Sequence, residues 1–155
     1  MLKLSKLADY ATVLMTYLGR HPSQFVSVNA ITSGARLPQA TVRKLLKLLV
    51  KAQLLESQRG TQGGYRLVRQ PRDITLLDII AAIEGEFAIT ACTQTKNHCD
   101  RESYCSMSQN WQVISRVLIQ ALSAVTLQDL LQQQVNVALL QPLKSLAPSA
   151  NSNVE

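Results

Sequence analysis

Every cysteine in this chain lies in one stretch, Cys92-Thr-Gln-Thr-Lys-Asn-His98-Cys99-Asp-Arg-Glu-Ser-Tyr-Cys105, with spacers of six and then five residues. The spacers are polar and carry no hydrophobic period, so packing alone gives the segment little reason to fold. Three soft ligands in one short loop point instead to a bound metal or cluster that ties it together. An odd cysteine count argues against a closed set of intramolecular disulfides. The rest of the chain must therefore build its core without staples, and 155 residues is enough for that.

Charge is distributed unevenly around this loop. Residues 1 to 72 hold twelve basic groups against Asp9 and Glu56, a balance of +10, while residues 73 to 155 hold four against eight, a balance of −4. The basic half is a candidate nucleic-acid surface. The first residues lack the continuous apolar run of a signal peptide, and no later run approaches the ~18 apolar residues that span a bilayer. The expected location is a reducing cytoplasm, where thiolates stay free to bind metal, with no membrane partner.

Residues 5 to 18 place Leu7, Tyr10, Ala11, Leu14 and Leu18 on one helical stripe, with Gly19 as the expected C-terminal cap. Asp9 lies about 200° around the axis from Leu7, away from the stripe, where an acidic residue in the first turn suits the helix dipole. A short helix over Val28 to Ser33, a turn through Gly34-Ala-Arg-Leu-Pro38 and a longer helix from near Pro38 to about Lys51 follow helix-turn-helix order. In the longer helix Val42, Leu45, Leu46 and Leu49 form the buried stripe, and Gln39, Thr41, Arg43, Lys44, Lys47 and Lys51 remain for solvent or DNA. No acidic residue occurs from Tyr10 to Gln53, which a face serving solubility alone would not require.

Leu54 to Val68 reads as two short strands around the Gly-rich turn Arg59-Gly60-Thr-Gln-Gly63-Gly64. A hairpin after a helix-turn-helix is a wing. Arg59 and Arg66 beside the glycines suit its tip to a DNA backbone or a narrow minor groove. Pro38 cannot donate its backbone N–H, so base contact is expected from Gln39, Thr41, Arg43 and Lys44, with Lys47 on phosphate and Arg59 in the minor groove.

Thr75 is the expected cap of a helix over Leu76 to Glu84, packed through Ile74, Leu77, Ile80, Ala81 and Ile83. Beyond the cysteine loop, Trp111, Ile114, Val117, Leu118, Ala121, Leu122 and Val125 give a wide apolar face on a helix from about Ser108 to Ala124. A helix this apolar, outside a small domain, commonly finds its partner in a second copy of itself. Thr126 can cap one more short helix through Leu131, and the tail is expected to be disordered. The fold class is mostly α with a small β-hairpin: a winged helix-turn-helix domain over 1–84, a cysteine cluster-binding loop over 85–107, a dimerisation helix and following short helix over 108–135, and the tail over 136–155.

Leu4-Ser-Lys-Leu-Ala-Asp9-Tyr-Ala11, Arg59-Gly-x-x-Gly63-Gly64-Tyr65, Asp78-x-x-x-Ala82-Ile83-Glu84 and the three-cysteine loop before Trp111 recur in one protein family. Together they resemble the winged-helix iron–sulfur transcription regulators that include IscR and NsrR, across roughly residues 1 to 135. The resemblance is strongest to the branch that regulates SUF-system iron–sulfur cluster assembly. It implies a homodimer on a palindromic double-stranded DNA operator, with one iron–sulfur cluster, [2Fe-2S] or [4Fe-4S], held in each subunit by Cys92, Cys99 and Cys105. IscR-like members take a fourth ligand three residues after the third cysteine, where this chain has Ser108. NsrR-like members take it from an aspartate in the partner's first helix, the position of Asp9. His98, inside the loop, is the rival ligand. The function so implied is a repressor of cluster-assembly genes, not an enzyme, with no small-molecule substrate. A structural zinc site of the three cysteines with His98, or a thiol-redox or nitric-oxide-responsive regulator, is the alternative; a thiol enzyme lacks its Cys-x-x-Cys pair and flanking βαβ pattern.

Overall fold

The computed structural model describes residues 4–93, 99 and 105–133, and for Cys92 the backbone alone. His98 and the tail over 136–155 lie outside the described residues. Helix α1 (Lys6–Gly19) starts where the Ser5 hydroxyl accepts the Ala8 N–H at 3.2 Å, and it buries Ala8, Ala11, Leu14, Met15 and Leu18. Gly19 is not its cap. It is the last helical residue, with Arg20 taking the cap position, and it is small because another helix comes close. A Cβ there would stand 3.0 Å from Leu131 and 3.4 Å from Leu127.

The helix-turn-helix consists of α2 (Val28–Ala35) and α3 (Gln39–Lys51). Its turn differs from the sequence expectation: Gly34 lies inside α2, and Arg36 is the residue that takes the left-handed conformation, at φ 53°. Gly34 answers a packing demand instead, since a Cβ there would overlap the Tyr17 ring of α1. Helix α3 buries Val42, Leu45, Leu46 and Leu49 completely, the stripe its period marks.

Strands β1 (Leu55–Gln58) and β2 (Gly64–Leu67) pair antiparallel, with Leu55 opposite Leu67 and Gln58 opposite Gly64. Val26 extends this sheet by one bridge, exchanging two 2.9 Å backbone hydrogen bonds with Tyr65. That approach requires a glycine next door, because a Cβ on Gly64 would overlap the Val26 carbonyl.

A 3₁₀ turn (Pro71–Asp73) leads from the wing to α4 (Leu76–Glu84), which packs on α1, on α3 and on α5 (Ser108–Ala124). The capping residue Thr75 is as expected, and it forms a full capping box with Asp78. Thr126 and Asp129 repeat the arrangement at the start of α6 (Leu127–Leu131). The two caps meet in an antiparallel bridge, in which the Leu76 N–H reaches Val125 O and the Leu127 N–H reaches Ile74 O, both at 2.8 Å. Val125 therefore belongs to this joint, extended and 8% exposed, and not to the apolar face of α5. Leu127 is fully buried in the same core as α1, α3 and the hairpin.

Candidate nucleic-acid interface and cysteine loop

Burial of one stripe of α3 leaves the other to solvent. Gln39, Arg43, Lys44 and Lys47 are exposed and Thr41 is half-buried. Gln39, Arg43 and Lys47 follow at intervals of four, so they lie one above another along one face. The ion pairs among the described residues use Arg66, Arg69 and Arg72, and none uses Arg43, Lys44 or Lys47. Cations without a carboxylate partner are available to phosphate, and long-range attraction to DNA falls with added salt. Gln39 is held in place: its amide nitrogen donates to Asn29 Oδ1 of α2 at 3.1 Å, which leaves its carbonyl oxygen as an acceptor.

The two wing arginines have different roles. Arg59 is exposed just before the tip, where Gly60 takes φ 112° and the Gly63 N–H closes on the Gly60 carbonyl at 3.0 Å. Arg66, expected beside it as a DNA contact, is engaged by its own chain at the surface: it pairs with Glu56 across the hairpin at 2.6 Å and lies 4.4 Å over the Phe25 ring. It fastens the wing to the segment that follows α1. Glu56 is its direct cross-strand neighbour, which draws the guanidinium away from the tip.

The cysteine loop leaves α4, passes through a 3₁₀ turn (Ala91–Thr93) that contains Cys92 and packs against α5, and re-enters helix at Ser108. Cys99 and Cys105 are half-buried free thiols. The Ser108 N–H donates to the Cys105 carbonyl at 3.2 Å, so this cysteine is fixed to the first turn of α5. Asp9 is exposed on α1. Among the described residues no three His, Cys, Asp or Glu side chains stand together as a metal site, so the structure does not bring Asp9 to Cys99 and Cys105 within one chain.

This winged architecture, its basic face and its cysteine-bearing arm have relatives. Residues 4–133 match the Rrf2 family, described as an iron-dependent transcriptional regulator. The chain belongs to the Rrf2 family. It is similar to protein rrf2 of Nitratidesulfovibrio vulgaris, 28% identical over 132 residues that cover 84% of this chain and 88% of that one. The HTH-type transcriptional regulator NsrR of Bacillus licheniformis is 25% identical over 138 residues, covering 88% and 96%. Among solved structures, T. potens IscR is 30% identical with a TM-score of 0.66, covering 85% and 88%. CymR, the global cysteine regulator of B. subtilis, is 27% identical with a TM-score of 0.68, covering 86% and 99%. The expected family and winged-helix fold are thus found, and this Rrf2-family protein is a DNA-binding transcriptional regulator. Among its described residues no helix is long and apolar enough to cross a membrane.

The family's description as iron-dependent points to iron, and the cysteines of this Rrf2-family chain are donors that would fit it. Cys99 and Cys105 are half-buried and outside any disulfide, and thiolates are ligands of iron–sulfur clusters. Several contacts were not legible in the sequence: Asn29 beneath Gln39, Phe25 beneath Arg66, and Arg69, which bonds Asp73 and Asp78. Each joins residues from different elements, so no local spacing announces it. Only the Glu56–Arg66 pair left a trace, as opposite charges placed symmetrically about a Gly-rich turn.

Proposed function

We propose that this Rrf2-family regulator is a homodimeric repressor of iron–sulfur cluster-assembly genes. It reads a palindromic operator through Gln39, Thr41, Arg43, Lys44, Lys47 and Arg59, and it takes its signal from a cluster held by Cys92, Cys99 and Cys105. The observation that carries this is the position of the loop, which joins α4 to α5 while α4 packs directly on α1 and α3. A cluster bound by three thiolates and one weaker ligand is readily lost to oxidants or nitric oxide, which suits a sensor.

The chain's own residues supply the rest. Cys92 sits in the turn packed on α5, and Cys105 is bonded to the first turn of α5. Holding their thiolates at one point fixes the ends of α4 and α5 relative to each other, which the polar spacers cannot do alone. A change in those ends is felt by α1 and α3 through shared side-chain packing, and the two recognition helices of a dimer must keep their spacing to match two half-sites. Asp9 of the partner subunit is the proposed fourth ligand, supported by its exposure on α1. His98 is the rival.

The test is an anaerobic absorption spectrum of protein purified without chelator, with iron and sulfide counts, for wild type, Asp9→Ala and His98→Ala. The expected protein is brown with stoichiometric iron and sulfide, and Asp9→Ala bleaches faster in air than wild type. A colourless protein that resists reconstitution with iron and sulfide would contradict the cluster, and stoichiometric zinc in it would favour the structural zinc site.

A further inference from the structure

Helices α4 and α5 begin and end at the same two places. Their far ends hold the cysteine loop, and their near ends meet at the bridge between Thr75 and Thr126. That joint is well satisfied: each threonine hydroxyl caps its own helix, and Asp78 and Asp129 each return a bond to the cap backbone. Among the described residues one side chain hydrogen-bonds the joint to the root of the wing. Arg69 stands two residues past the end of β2, and its Nη1 donates to the Asp73 carbonyl at 3.0 Å while its Nη2 reaches Asp78 Oδ2 at 3.4 Å. The same Asp78 oxygen accepts the Thr75 N–H at 3.0 Å, so Arg69 is bonded to the group that starts α4.

The neighbouring arginines do not share this role. Arg66 pairs within the hairpin, and Arg72 pairs only with the adjacent Asp73 at 3.8 Å. We propose that Arg69 is the positioning residue that carries a change in the α4–α5 arm to the DNA-binding wing. This rests on the reading of the loop as sensor and the wing as DNA contact. A displacement of α4 moves Asp78 and Thr75 together, because they are joined in one capping box, and Arg69 makes the root of the wing follow. The hairpin also meets α4 in the shared core, where Leu55 and Leu67 are buried with Ile74 and Ile79, and Arg69 adds the hydrogen-bonded link to the capping box.

The experiment is hydrogen exchange of the wing amides Tyr65 to Leu67 in the full-length protein, comparing wild type with the C92S/C99S/C105S variant and repeating the comparison in an Arg69→Gln background. The emission of Trp111, the single tryptophan and a residue of α5, reports the arm independently. The expected result is a loop-dependent change in wing exchange of about fivefold or more in wild type. In Arg69→Gln that change disappears while the Trp111 shift persists, and Asp78→Asn, which keeps a cap acceptor but loses the charge, behaves likewise. An equal wing response with and without Arg69 overturns the proposal and leaves the sensor standing. A wing that ignores the loop in wild type overturns both.

Discussion

Helices α3 and α5 carry the same kind of apolar stripe and bury it in different ways. In α3 Val42, Leu45, Leu46 and Leu49 are all at 0% exposure, enclosed by α1, α2, α4 and the hairpin. In α5, which is longer, the buried side chains are Ser108 and Ser115, while Val113 and Ile114 are 38% and 41% exposed. A helical period thus identifies an apolar face but not the molecule that will cover it. The chain supplies the cover for α3 itself. For α5 the main cover among the described residues is α4 and the turn containing Cys92, and the proposed cover of its exposed face is a second copy.

Substitution should separate the two helices, with the largest effect in α3. Leu46→Ala removes a side chain that is fully enclosed by its own chain, so it is expected to cost roughly 2 to 5 kcal/mol of stability. Urea unfolding checks this through a lower midpoint at unchanged slope. Ile114→Asp is expected to leave the monomer fold intact and to weaken self-association by about 2 kcal/mol, near 30-fold. Sedimentation equilibrium decides it, and a variant that remains as tightly dimeric as wild type would remove the α5 face from the interface. On the polar side of α3, Arg43→Ala should relax sequence preference by roughly 1 to 3 kcal/mol, whereas Lys47→Ala should weaken all sequences alike and lower the salt slope by about one. Binding to selected and scrambled duplexes across a salt series separates the two.

Much of the winged domain was legible because its signals are local. The stripe of α3, the caps Thr75 and Thr126 and the Gly-rich hairpin are each read within a few residues. Failures occurred where a residue answers to something distant in sequence. Gly19 and Gly34 look like punctuation, yet one makes room for α6 and the other for Tyr17. Arg36, with no sequence signal for a left-handed conformation, carries the turn instead. Arg66 looks like a wing-tip cation until Glu56 and Phe25 are placed beside it. The basic face of α3 was readable from charge alone, because no acidic residue interrupts it. The proposed ligands of the loop are readable only as a list of donors, since polar spacers impose no geometry on them.

Under the proposed function, DNA binding by the α3 face depends on the state of the cysteine loop. Its most direct test is to select a duplex from a random pool with anaerobically purified wild type, then to measure the affinity of that duplex for wild type and for the C92S/C99S/C105S variant at one salt concentration. The two affinities are expected to differ by about fivefold or more, the range of a typical coupling between sites. Equal affinities, with both proteins folded and dimeric, would contradict it.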